Sequence, residues 1–409
     1  AGQYVNHDMM VATWMGVAIW CFARAFMHEG EVHAGWARAG FVACGLGILS
    51  KGLIGLLLPG LVLFVWIAYT WQWRKILALP WVTGLLLLVA VALPWFVLAE
   101  REHPGMLAYM FGKHQFGRYT ATTFNNARPW WFYGVAVTLL LFPWVFCALA
   151  DGVQRLQQLV HRRRDDDDAS YATTAPWVAL CWIWVLAILC FFSIPNSKLV
   201  GYALPVIPPL AVLVALWWQR AVAPRRWAST AFGVLAVLGV LIAIVANFYA
   251  SDYTLERSAR GVAKALTCHA EPDDVVAVVD DFPYDVLFYA QRQRPIDVIQ
   301  DWPRQQVEAG DNWRRELLDG ADFDAAAARA LKPLSRVAEL RHDPHAWLLV
   351  PRWQGAVDVA AYEGFARVYQ DDAWALYRGV NAAGSSRAAK GPEATEHKGL
   401  SGCKDQGDK

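Results

Sequence analysis

ILALPWVTGLLLLVAVALPWFVLA, residues 76–99, contains no charged side chain. A helix needs roughly 20 apolar residues to cross about 30 Å of hydrocarbon, and this stretch is long enough alone. Lipid offers the backbone no hydrogen-bond partner, so a segment that satisfies its own backbone, a helix, is the form such a stretch takes. Working outward, other charge-free stretches cover 9–23, 39–50, 52–73, 129–150, 169–197, 199–219 and 227–251. The stretch 39–50 is long enough only if Arg38 and Lys51 snorkel from its ends. We read 39–73 as two short helices joined near Lys51, with a re-entrant loop as the alternative. The sum is an α-helical polytopic membrane protein of about eight transmembrane helices.

Composition agrees with a chain that is part membrane and part water-soluble. Of 409 residues, 56% are hydrophobic and 18% charged, against about 25% charged in soluble domains. The mean hydropathy of +0.25 is modest for a wholly embedded chain. A net charge of +1 gives no electrostatic footprint for nucleic acid. Cys21, Cys44, Cys147, Cys181 and Cys190 fall in apolar stretches, and no metal-type Cys spacing occurs. The chain opens on Ala1, and its first apolar segment has neither a basic n-region nor a small-residue cleavage site, unlike a signal peptide. An upstream part is therefore expected.

Beyond 250 charges recur every few residues. Val275–Asp280 reads as a buried strand, Tyr284–Gln291 as a helix, and Trp347–Val350 and Val368–Tyr377 as strands around a polar turn at Gln370–Asp372. The organisation expected is a membrane domain over 1–250, a small α/β domain over 251–380, and a disordered tail over 381–409 that lacks apolar periodicity.

The basic loops set the orientation. Arg74 and Lys75, then Arg155 and Arg162–Arg164, then Arg220, Arg225 and Arg226 fall on one side by alternation, which the positive-inside rule makes cytoplasmic. The run Asp165–Asp168 reads as a solvated loop. Asp8, the Lys51 turn, the loops 100–128 and 194–203, and everything after about 250 then lie outside. The cations Arg101, Lys113, Arg118 and Arg128 in the loop 100–128 run against the rule, so either the orientation is reversed or they serve a purpose there.

This topology gathers the unusual polar residues on one surface. Asp8 reads either as a first-turn acid facing water or as a general base in a cleft. Lys51, alone among apolar residues, is either a snorkelling turn residue or a functional cation, since burying it deep costs about 2.5–3.5 kcal/mol. Lys113, His114 and Arg118 sit beside aromatics; on a helix His114 and Arg118 share a face. They suit a phosphate or, as an interfacial helix, anionic lipid heads. Lys198 and Tyr202 interrupt two apolar stretches in Ile194–Pro205, where Pro and Gly break the helix; this is an ordinary turn or a cavity lining with a phosphate contact from Lys198 and a hydroxyl donor from Tyr202. Trp130-Trp131 and Trp217-Trp218 read as interfacial belts.

Three segments carry a resemblance: Arg118-Tyr119-Thr120-Ala121-Thr122-Thr123-Phe124-Asn125-Asn126 with Pro129-Trp130-Trp131-Phe132-Tyr133; Phe191-Phe192-Ser193-Ile194-Pro195 through Lys198-Leu199-Val200-Gly201-Tyr202-Ala203-Leu204-Pro205; and Leu49-Ser50-Lys51-Gly52 with Leu58-Pro59-Gly60. In this order they resemble the aminoarabinose transferase-like GT-C glycosyltransferases, relatives of protein O-mannosyltransferases, over about residues 1–250. The resemblance implies an inner-membrane enzyme that moves a sugar, such as 4-amino-4-deoxy-L-arabinose, from a polyprenyl-phosphate donor to a periplasmic lipid or glycan acceptor such as lipid A, with inversion. It implies a catalytic role for Asp8 and carrier-phosphate contacts for Lys51, His114, Arg118, Lys198 and Tyr202, beside which Lys113 stands as a phosphate-binding candidate from its chemistry alone. It also allows a divalent metal with His114 as one ligand. Family members carry about five further helices upstream, with a first outer loop that holds the principal acid; the resemblance therefore implies an N-terminally truncated chain, inactive by itself or in need of a complementing fragment. Two readings from other classes stand beside it. A transporter or flippase would place ionisable groups at mid-depth and show repeat halves, and a non-catalytic assembly subunit would need these cations only for complex formation.

Overall fold

The structure, a computed structural model, describes residues 7–116, 127–160, 169–255, 258–308, 310, 312–352 and 362–380. The expected disordered tail 381–409 lies outside them. The chain divides into two compact units, Ala1–Ile242 and Ala243–Lys409.

The first unit is helical. Its helices are α1 (His7–Phe26), α2 (Ala34–Lys51), α3 (Ile54–Thr70), α4 (Trp81–Glu102), α5 (Phe132–Leu141), α6 (Val145–Val160), α7 (Ala169–Ser193), α8 (Ile207–Ala221) and α9 (Ala228–Leu255). Each charge-free stretch of the sequence is helical. Among the described residues, His7–Phe26, Trp81–Glu102, Ala175–Ser193, Val200–Ala221 and Ala228–Ala250 are long and apolar enough to cross a membrane, and Ile54–Thr70 and Phe132–Leu141 are shorter apolar helices. The fold is therefore a polytopic membrane bundle joined to a small α/β unit. One expectation changes: the stretch 129–150 is not one helix but two, α5 and α6, parted around Phe142–Trp144. Pro143 supplies no N–H and its ring clashes with the preceding turn, so the helix stops there.

Packing within the bundle is closest where side chains vanish. A Cβ on Gly84 of α4 would fall 2.8 Å from Phe41 Cγ of α2, so the helices meet with an aromatic ring laid on bare backbone. Membrane interfaces favour such small residues because lipid provides little hydrophobic drive to assemble helices and close van der Waals packing must do so. Trp66 Nε1 of α3 donates to the Pro176 carbonyl of α7 at 3.0 Å, which satisfies the indole in the core. α9 differs: none of its 18-residue apolar window is buried within the protein. Its composition, apolar on all sides, suits lipid contact.

The second unit is a six-stranded mixed sheet, order β3-β2-β1-β4-β6-β5, with β1 Val275–Val279, β2 Asp297–Ile299, β3 Leu331–Lys332, β4 Ala346–Pro351, β5 Phe365–Gln370 and β6 Trp374–Gly379. Strands β3, β2, β1 and β4 run parallel, and β6 and β5 form an antiparallel hairpin on the β4 edge. The run Val-Val-Ala-Val-Val of β1 is apolar throughout because both faces are covered. Val276 and Val278 join Val262, Leu266, Trp347 and Trp374 on one face; Ala277 and Val279 join Ile299, Leu348 and Phe365 on the other.

Candidate functional site

The turn Lys51-Gly52 has a local cause. α2 ends at Lys51, and Gly52 takes φ 75°, returning its N–H to the Ile48 carbonyl at 2.7 Å. A positive φ strains residues with a Cβ and is open to glycine. α3 then starts at Ile54 and folds back so tightly that a Cβ on Gly55 would lie 2.7 Å from Gly47 Cα. This hairpin carries Lys51 as its last helical residue.

The Lys51 ammonium donates to the Asp8 carboxylate and forms an ion pair with it. Asp8 sits in the first turn of α1, buried. An acid there meets the positive end of the helix dipole, but its side chain is 4% exposed, so water is a minor partner. On another side, the Lys51 ammonium lies 4.5 Å from the centroid of the Tyr202 ring. Tyr202 in turn stacks on Phe192 of α7, centroids 4.8 Å apart and planes 28° apart. Three segments remote in sequence thus converge on one ammonium: the start of α1, the α2–α3 turn, and the 3-10 turn Val200–Val206. Tyr202 presents the face of its ring to this ammonium, a cation–π contact.

Lys198 is placed differently. It is buried, and its ammonium donates to the Pro195 carbonyl at 2.6 Å and the Arg128 carbonyl at 3.1 Å. Arg128 N–H donates to the Asn196 carbonyl at 3.1 Å, and Ala127 pairs with Ser197 as an antiparallel bridge. In this geometry Lys198 fastens the 194–199 loop to the segment at 127–128 through two carbonyls. Lys113 and His114 belong to the π-helical turn Tyr109–Phe116. Their side chains, and Arg118 altogether, lie outside the described residues, as does any metal ligation by His114.

Two polar clusters escaped the sequence reading. Asp151, one residue past the charge-free stretch 129–150, is 1% exposed and accepts from Arg155 Nε at 2.6 Å, Arg220 Nη2 at 2.7 Å and Trp182 Nε1 at 3.2 Å. It ties α6, α7 and α8 together on the side of the basic loops. The Asp151/Arg155 spacing of four was the available signal.

In the second unit, buried Asp274 accepts from Trp347 Nε1 at 2.8 Å, from the Glu271 N–H at 2.9 Å and pairs with His345 Nδ1 at 2.9 Å. Burial alone raises the Asp274 pKa, but these hydrogen bonds outweigh it and hold the carboxyl below its usual range. Glu271, Asp274 and His345 are close enough to hold a metal ion. Their environment suits an ionic hub better: both Asp274 oxygens already accept hydrogen bonds, and Arg292 donates to the Glu271, Pro272 and Asp274 carbonyls behind them.

Comparison with known proteins extends this picture. A family model described as dolichyl-phosphate-mannose-protein mannosyltransferase matches residues 1–110, the segment that holds Asp8 and Lys51. An undecaprenyl phosphate-α-4-amino-4-deoxy-L-arabinose arabinosyl transferase 2 of Pseudomonas fluorescens is 30% identical over 180 residues, which is 44% of this chain and 30% of that protein. This chain is similar to the aminoarabinose transferase-like GT-C glycosyltransferases. A second Pseudomonas fluorescens relative, arabinosyl transferase 1, is 28% identical over 167 residues, 41% of this chain and 28% of its own length. The matched segments thus span under a third of these relatives. The crystal structure of ArnT from Cupriavidus metallidurans bound to undecaprenyl phosphate superposes with a TM-score of 0.69 at 21% identity, covering 93% of this chain and 75% of that one. Its apo form gives 0.66. These likenesses establish a shared GT-C membrane fold.

Proposed function

We propose that the chain serves an inverting glycosyltransferase that takes a sugar from a polyprenyl-phosphate carrier and delivers it to a lipid or glycan acceptor, on the outer side of a bacterial inner membrane. The observation that carries this reading is the convergence of Asp8, Lys51 and Tyr202. It agrees with a family likeness whose members are named for undecaprenyl-phosphate-linked aminoarabinose, and lipid A is the acceptor class this suggests. The 251–380 unit is read as a periplasmic α/β domain.

In such a displacement the acceptor oxygen attacks the anomeric carbon, and the C–O bond to the carrier phosphate breaks. Negative charge grows on the departing phosphate, where a preorganised cation lowers the barrier. Lys51 supplies that cation, kept on Asp8 and over the Tyr202 ring until it turns toward the phosphate. Asp8 positions the acceptor or takes its proton once Lys51 turns toward phosphate. Arg118, Lys113 and His114, in the sequence 113–118, are assigned to the same phosphate. Lys198 serves by anchoring the 194–199 loop at Arg128.

The test is transfer from a synthetic polyprenyl-phosphate sugar in nanodiscs. Lys51→Ala should lower kcat/KM by roughly 10²–10³, the order seen when one oxyanion donor is lost. Undiminished transfer by both Lys51→Ala and Asp8→Ala would refute the assignment.

A further inference from the structure

Gly201 lies in the 3-10 turn Val200–Val206, between the turn's first residue and Tyr202. Its φ is outside the left-handed region, so its backbone conformation is one that other residues adopt. The reason for glycine is space. A Cβ built there would overlap Asp8 Oδ2 and stand 2.7 Å from Asp8 Cγ and 3.1 Å from Asp8 Cβ.

The Asp8 side chain has little room to yield. It is short, it is buried, and its carboxylate holds Lys51. A methyl group at 201 therefore forces one of two movements. Asp8 turns away from Lys51, or the turn retreats and carries the Tyr202 ring off the ammonium. Either way the ammonium loses a partner.

From this we infer that Gly201 is a positioning residue for Asp8 and Lys51. Its missing side chain lets the turn close over the Asp8 carboxylate, and that closure fixes where the Lys51 ammonium sits. The reaction assigned to these two residues rests on the function proposed above; the positioning itself does not.

The experiment reads the geometry without substrate. The full chain in detergent is treated with a small amine-acylating reagent, and the rate at Lys51 is followed by mass spectrometry. Gly201→Ala should raise that rate roughly tenfold, the factor that corresponds to about 1.4 kcal/mol of lost ion-pair energy. Asp8→Ala should raise it as much, and in the Asp8→Ala background the Gly201→Ala change should add nothing, because residues that act as a unit are non-additive. Gly60→Ala, in α3 with open space around it, should leave the rate unchanged.

Equal reactivity of wild type and Gly201→Ala, or additive effects in the double variant, would overturn the inference. If Gly201→Ala does not fold, recovery of folding in Asp8→Ala/Gly201→Ala supports it and failure to recover overturns it. A transfer assay adds a second arm: Gly201→Ala should lower kcat with KM little changed, and Asp8→Ala should mask this effect. Acylation shifts in Gly201→Ala and Asp8→Ala alongside transfer equal to wild type would leave the positioning standing and count against the proposed reaction instead.

Discussion

Lys51→Met tests the core of the membrane unit most directly. The substitution keeps a flexible chain of similar length and removes the ammonium. Asp8 is left with 4% of its side chain exposed and without that partner's charge. Removing one member of a buried pair costs about 3–5 kcal/mol. The Lys51 side chain is 27% exposed, so water already weakens the pair and the lower end applies. The contact with the Tyr202 ring, worth about 0.5–2 kcal/mol, is made by the same ammonium, so the two do not simply add. The expected loss is therefore about 3 kcal/mol. For a unit of this size 1 kcal/mol moves Tm by about 2–4 °C, giving an apparent shift of roughly 6–12 °C in detergent. The assay is thermal unfolding followed by tryptophan emission, with Asp8→Asn/Lys51→Met beside the single variant. Neutralising both partners should recover more than half of the loss, because an amide tolerates burial far better than an unpaired carboxylate. A Lys51→Met protein as stable as wild type, or a double variant no better than the single one, would refute the reasoning.

Asp151→Asn should cost about 2–3 kcal/mol in the same melt, since two guanidiniums lose their shared carboxylate while Arg220 stays half exposed. Gly55→Leu should prevent the α2–α3 hairpin from closing against Gly47, read as loss of a monodisperse peak in size-exclusion chromatography. In the second unit the Asp274 carboxyl is depressed in the folded state, so the stability it contributes is present above the unfolded value near 3.8 and is lost as pH falls through the lower folded value. Acid titration followed by hydrogen exchange in β1 and β4 should show that loss, and Asp274→Asn, destabilised by about 1–3 kcal/mol at neutral pH, should show a flatter acid limb.

Runs without charge were enough to place the membrane helices, because crossing lipid imposes a length and a composition that few other structures share. The break at Pro143 was less legible, since it falls inside an unbroken apolar run and carries no charge signal. Ala34–Arg38 also escaped: the helix begins before the charge-free stretch, and Arg38 finds Thr83 Oγ1 at 3.1 Å. In the second unit the long strands β1 and β4, the β5–β6 hairpin and the helix Tyr284–Ala290 followed from apolar pattern, whereas β2 and β3, at 3 and 2 residues, are too short to show a period.

At the site, residue types pointed to Asp8, Lys51 and Tyr202 individually. That Lys51 pairs with Asp8, that Tyr202 lays its ring by Lys51, or that Lys198 reaches the Arg128 carbonyl depends on contacts between segments far apart in the chain, for which one sequence holds no record.

The Asp8–Lys51 pair also has a consequence for the order of events. At rest the two charges cancel, so this pair by itself offers little net attraction to an incoming anion. In the proposed reaction a donor phosphate that engages Lys51 must win it from Asp8, and the exchange releases the Asp8 carboxylate. Arrival of the donor would thereby arm the base. Under the proposed reaction an empty site stays quiet, and Asp8 becomes available as proton acceptor only when a donor is bound.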